Sequence, residues 1–170
     1  MDFGHSGGKI GFVYNFECVG IDGHVKWQER IENIIPDVGR DYLLNAGLLG
    51  GSQLVNWYIG LYENVRTPLV GDTMTSLIAD CGEVTAYTSA GSLRLVLAGS
   101  LDDGVFSNFS TPAEFVFTAD KTIKGGFVTS SAAQGSSSGT LLSAVQNSSP
   151  KIVAIGETLR VTAGLALITV

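Results

Sequence analysis

At 170 residues and 17.8 kDa the chain has the length of one domain, enough to bury most of its apolar surface around a single core. Charged residues make up 15%, against roughly 25% in ordinary globular domains, and 22 glycines with many Ser and Thr replace them; this favours strands and turns, because exposed helix faces are usually written in Glu, Lys and Arg. A net charge of −6 excludes a basic footprint for gripping phosphate backbones, and no stretch reaches the ~18 uninterrupted apolar residues of a spanning helix, so neither nucleic acid nor membrane is an expected partner.

The first nine residues, MDFGHSGGK, lack the basic start and apolar core of a signal peptide and read as a polar, flexible arm. Phe3 and His5 are its candidate partner contacts, since such arms order on binding. Residues 10–170 read as one β-sandwich domain. Ile10, Phe12, Tyr14, Phe16 and Cys18 alternate with smaller or polar residues, the period of a half-buried strand, and Asp22-Gly23 offers a tight hairpin. The return strand HVKWQERI places Val25, Trp27 and Glu29 on one side. Pro36-Asp37 then starts a helix, carried by Val38, Tyr42, Leu43, Ala46 and Leu49 at three- and four-residue intervals and stopped by Gly50-Gly51.

Beyond it the pattern is strand and turn. SQLVNWYIGLYE reads as a strand and DTMTSLIA as a short helical turn. GEVTAY, SLRLVLA, AEFVFTA, TIKGGFVTS, KIVAI and TLRVTAGLALITV read as strands, with SAG, SLDDG, STPA, SSAAQGSSSG, NSSP and GE as the turns between them. The expected fold is mainly β: an antiparallel β-sandwich or jelly roll with one short helix near residues 38–49. Within NWYIGLYE, alternation puts Trp57, Ile59 and Leu61 on a core face and Tyr58, Gly60 and Tyr62 on the other. Gly60 there leaves room for a close approach, and Tyr58 and Tyr62 either pack on the opposing sheet or line a subunit contact.

Chemistry-bearing patterns are sparse. Gly135-Ser136-Ser137-Ser138-Gly139 matches the G-x-S-x-G of a nucleophile elbow, but both histidines, His5 and His24, precede it, whereas the triad order of that fold needs an acid and then a histidine after the serine. Cys18 and Cys81 form no C-x-x-C and read as buried free thiols. Asp102-Asp103-Gly104 lacks the alternating ligand pattern of a calcium loop and reads as a plain turn. No catalytic residue, cofactor or metal is expected. The loops SLDDG, with Asp102 and Asp103, and SSAAQGSSSG, with Ser136 and Ser137, are free of core duty and become candidate partner contacts; the second is expected to be exposed and flexible.

Three stretches, ECVGIDGHVKWQERIEN, GRDYLLNAGLLGGSQLVNWYIGLYE, and GDTMTSLIADCGEVTAY followed by Arg94, resemble a family of small virion-associated structural proteins of tailed bacteriophages. TIKGGFVTS, the Gly-Thr-Leu-Leu-Ser-Ala of 139–144, and IGETLRVTAGLALI extend the likeness over residues 10–170. The chain departs from that pattern at Asp80-Cys81-Gly82, where the family has a Gly-Trp pair. The resemblance implies a structural protein of the virion, made in the host cytoplasm. Its best placement is a capsid decoration, or cement, protein on the capsid exterior, whose partners are the major capsid protein and its own copies as a homodimer or homotrimer. The competing expectation is a tail, fibre or head-fibre module that reads a host surface or glycan.

Overall fold

The computed structural model describes residues 11–166. In chain order its elements are β1 (Phe12–Val19), β2 (Val25–Glu32), α1 (Asp37–Leu48), β3 (Tyr58–Tyr62), α2 (Met74–Cys81), β4 (Glu83–Val84), β5 (Leu95–Val96), β6 (Ser100–Asp102), β7 (Val105–Ser107), β8 (Ala113–Val116), β9 (Lys121–Thr129), β10 (Leu141–Val153) and β11 (Thr158–Ala166). The strands form two antiparallel sheets, as expected for a β-sandwich. One runs β2-β1-β11-β7-β6 with β8 also paired to β11, and the other runs β10-β9-β3-β4 with β5 also paired to β3.

The strands that define the core are the ones whose alternation is cleanest. Phe12, Tyr14, Phe16 and Cys18 point inward from β1, and their partners across β11 are Leu165, Ala163, Val161 and Leu159. Tyr14 and Phe16, stacked at 5.8 Å, thus stand opposite the smaller Ala163 and Val161, which leaves the rings their volume. Ile59 and Leu61 of β3, Ile123 and Val128 of β9, and Leu142 and Val145 of β10 meet them from the facing sheet. The Tyr14 hydroxyl, buried in this core, donates to Ser143 Oγ at 2.9 Å, as an interior hydroxyl must.

A bulge at Cys18/Val19 shifts the β1–β2 register, so Trp27 and Glu29 lie on the half-buried side of β2 as expected while Val25 is exposed. Trp27 Nε1 donates to the Ile152 carbonyl at 3.0 Å and Glu29 accepts from Ser148 N at 2.9 Å, so β2 of one sheet closes against β10 of the other. NSSP, expected as a turn, lies inside the single strand β10. Pairing with β9 jumps from Gln146↔Gly125 to Lys151↔Ile123, and the four residues between form a bulge where the missing N–H of Pro150 costs no ladder bond. SLDDG is the β6–β7 hairpin, turned by Asp103 (φ 45°) and Gly104 (φ 77°).

α1 matches the expected helix. α2 is a full helix of eight residues where only a helical turn was expected. Its start is explained by Asp72-Thr73-Met74: Thr73 Oγ1 accepts from Ser76 N and Ser76 Oγ from Thr73 N, a reciprocal cap. Buried Asp72 accepts from Leu69 N at 2.7 Å and from Arg66 Nη2 at 2.6 Å. Gly82, at φ 61°, ends the helix in the left-handed conformation.

Glu157, in the turn before β11, is buried and accepts from Lys26 Nζ, from Ala154 N at 2.9 Å and from Cys18 Sγ at 3.6 Å. The Lys26 ammonium first, then the Ala154 N–H, hold its carboxyl below the ordinary carboxylate range despite burial. A depressed folded pKa contributes stability above the unfolded value, lost as pH falls through the folded one. Glu157→Gln is therefore expected to be less stable than the wild type at pH 7, with the gap in urea midpoint closing below the unfolded carboxylate pKa of about 4.3. Two parallel midpoint-versus-pH curves would show that this carboxylate does not contribute through its charge.

Candidate functional site

The residues singled out in the sequence fall into three places. Phe3 and His5 lie outside the described residues, as does the arm they belong to. Asp102 and Asp103 are exposed at the tip of the β6–β7 hairpin. Tyr58, Tyr62, Ser136 and Ser137 belong to the layer outside the β10-β9-β3 sheet, and there the structure changes the reading.

Tyr62 is a core residue and cannot be a partner contact. The side of β3 that carries it is covered by α2, and it packs in a second apolar cluster with Met74, Leu77, Cys81, Phe127 and Leu141. Its hydroxyl donates to the Val145 carbonyl at 2.7 Å, with the Arg66 carbonyl at 3.1 Å, and burial pushes its pKa up. Glycine makes this possible. Gly60 pairs with Phe127 and Tyr62 with Gly125 across β3 and β9, and each ring lies over the glycine opposite, where a Cβ would occupy the ring's own space. The close approach expected at Gly60 is that of the Phe127 ring. Tyr58, one end further along, is half-buried.

The serine-rich loop is pinned from beneath. Arg94 has no exposed side-chain surface and grips Glu83 with two bonds, Nε to Oε1 at 2.7 Å and Nη2 to Oε2 at 2.8 Å. The same guanidinium donates to the carbonyls of Ser131 at 2.8 Å and Ser136 at 3.0 Å, and lies 5.2 Å from the Phe127 ring centre. Glu83 in turn accepts from Gly135 N at 2.7 Å, and the Arg94 backbone N–H donates to the Ala132 carbonyl at 2.7 Å. The loop expected to be flexible is thus bonded along its length to one buried ion pair, leaving Ser137 and Ser138 outward on a fixed backbone. The sequence showed Glu83 and Arg94 only as parts of a resemblance; eleven positions apart, nothing marked them as a pair.

The G-x-S-x-G serines sit in this loop between β9 and β10, not on a strand-to-helix turn. Ser136 Oγ is 2.8 Å from Ser138 Oγ, and the Ser137 carbonyl accepts from Thr75 Oγ1 at 3.3 Å. Among the described residues no cluster of three or more His, Cys, Asp or Glu side chains could hold a metal ion. Both cysteines are buried; burial, then nearby Glu157, pushes the Cys18 thiol up to about 11, and burial, then Glu83 and Asp80, pushes Cys81 up to about 12, so neither is an activated thiolate. No described helix is long and apolar enough to cross a membrane.

One open depression of about 500 Å³ lies on the outer face of the first sheet, lined by Val13, Val105 and Gly164 together with Asn15, Arg30 and Thr162, with the exposed ring of Phe109 beside them. The sequence did not single out Phe109; it sits in an irregular segment after β7, where no period reveals which way a side chain points.

The fold and its surface thus define a two-sheet antiparallel β-sandwich with pinned surface loops. Comparison with protein-family models, characterised proteins and solved structures finds no match.

Proposed function

We propose that this chain is a structural protein of a virus particle, a capsid decoration protein that binds the outside of the major capsid protein shell and stabilises it. The observation that carries the reading is the loop 130–139, held by Arg94 and Glu83 as a preformed surface. A decoration protein needs such a surface: loop ordering is completed on folding, so docking to many equivalent sites loses little conformational freedom at each one. A ligand that favours the mature lattice stabilises it by mass action. The resemblance of residues 10–170 to virion proteins supplies the particle, and the acidic surface suits basic patches on a shell exterior.

A second reading, a tail or fibre module that binds glycans, is favoured by the depression beside Phe109, a mostly apolar hollow in which an exposed ring stands near Asn15 and Arg30. Tyr58 and Tyr62 form no exposed pair on which a sugar could stack, since Tyr62 is internal. Copy number separates the two. Quantitative staining of purified virions is expected to give a count comparable to that of the major capsid protein; a handful of copies per particle would reject the decoration reading in favour of the tail one.

A further inference from the structure

We propose that the hollow beside Phe109, on the outer face of the first sheet, is a binding site for a carboxylated sugar, a pyranose of the uronic acid class. The inference deepens the second reading, on whose glycan chemistry it rests. Phe109 is the one exposed aromatic side chain among the described residues, at 76%. Its backbone is nonetheless fixed. β7 pairs with β11 as far as Ser107↔Gly164 and β8 begins at Ala113↔Val161, so between them that edge of β11 has no strand partner. The buried Asn108 side chain takes the place of one: its Oδ1 accepts from Ala163 N at 2.7 Å and its Nδ2 donates to the Val161 carbonyl at 3.0 Å. The residue that follows is thus held with its ring in solvent, and a ligand that stacks on it has little chain left to order.

The hollow has the composition of a small-ligand site, mostly apolar with a few polar groups, and its volume of about 500 Å³ falls within the usual range of such sites. Val13 and Gly164, opposite each other on β1 and β11, form a low floor, since Gly164 carries no side chain. Beside them Arg30, Asn15 and Thr162 stand in register across β2, β1 and β11. Their side chains make no hydrogen bond or ion pair with another described residue, and Glu32, two positions along β2 from Arg30, does not pair with it.

The ligand class follows from what these groups ask for. The C–H face of a pyranose stacks on an aromatic ring, whose negative face attracts the weakly positive hydrogens. The Asn15 amide and the Thr162 hydroxyl both donate and accept, which suits sugar hydroxyls. Arg30 is the only charged residue that lines the hollow among the described residues, and a planar guanidinium takes a carboxylate with two parallel bonds. A net charge of −6 repels anions at long range, but salt screens that field beyond about 8 Å and leaves the local cation to decide. An adjoining hollow of about 280 Å³ shares Asn15 and Phe109, yet its cation, Arg160, is already held by Glu17 and Glu114, so the acid is assigned to the first. On a particle that displays many copies, weak sites of this kind reinforce one another through multivalency.

The test is a titration of the isotope-labelled full-length protein, followed by amide NMR shifts, with three probes: methyl glucuronide, methyl glucoside and propanoate. The glucuronide is expected to shift the amides of Asn15, Arg30 and Phe109 with a Kd on the order of 1 mM, and the glucoside and propanoate to bind at least about tenfold more weakly. Arg30→Gln is expected to remove the preference for glucuronide over glucoside, and Phe109→Ala to weaken both sugars about three- to tenfold. Both side chains are exposed, so neither variant is expected to change the circular dichroism spectrum. Glucoside binding as tightly as glucuronide overturns the acid, and propanoate binding as tightly overturns the sugar. Shifts that gather elsewhere, no saturable shift up to about 50 mM glucuronide, or affinities indifferent to both variants overturn the site. A failed titration leaves the virion copy number, and with it the choice between decoration and tail, untouched; a copy number of either kind leaves the titration untouched.

Discussion

Arg94→Met is expected to cost about 3–5 kcal/mol of folding stability, because it strips the cation from a carboxylate that stays buried. Glu83 is 4% exposed and would keep only the Gly135 N–H as a partner, while the carbonyls of Ser131 and Ser136 would lose their donor. For a chain of this length that loss corresponds to about 6–20 °C in Tm, read by thermal unfolding. Arg94→Lys is expected to recover only a part, since an ammonium cannot make the two parallel bonds to Glu83. The paired change Arg94→Met with Glu83→Leu is expected to be much less harmful than Arg94→Met alone, because no charge is then left unpaired. Hydrogen exchange on the amides of 130–139 should quicken in Arg94→Met. A variant within about 1 kcal/mol of the wild type, with the loop amides still slow, would show that the loop is held by something other than this pair.

Gly125→Ala is the second large effect, expected at about 3 kcal/mol, the upper end of the range for overpacking a filled interior. The added methyl would fall on the Tyr62 ring and on the Val145 carbonyl oxygen, and the latter belongs to a paired strand that cannot step aside. Combining it with Tyr62→Leu is expected to show coupling, since removing the ring relieves one clash and leaves the carbonyl clash in place. Equilibrium urea unfolding of the four variants of this cycle provides the measurement, and strictly additive losses would contradict the aromatic-over-glycine packing of β3 on β9.

The elements legible in the sequence were those whose pattern is local. β1, β9, β11 and α1 carry their own period, and each appears in the structure within a few residues of its expected bounds. GEVTAY and SLRLVLA read as strands of full length but pair over only two residues each, because β4 and β5 share one edge of β3 and neither can extend without displacing the other. NSSP reads as a turn on composition, but whether a Pro-containing break reverses the chain or bulges it depends on whether both flanks meet the same neighbour, here β9.

For the candidate site the division is sharper. Local sequence determined the mainly β architecture, the hairpin at Asp103-Gly104, and a serine-rich stretch with no core duty, because alternation, turn residues and composition act between near neighbours. Only the tertiary structure decided that Tyr62 is interior, that Glu83 and Arg94 form one buried pair, that this pair makes a fixed surface of loop 130–139, and that Phe109 faces outward. Each of these depends on which distant segment covers a given face, and that is set when two sheets and two helices share one interior, a constraint no window of neighbouring residues contains.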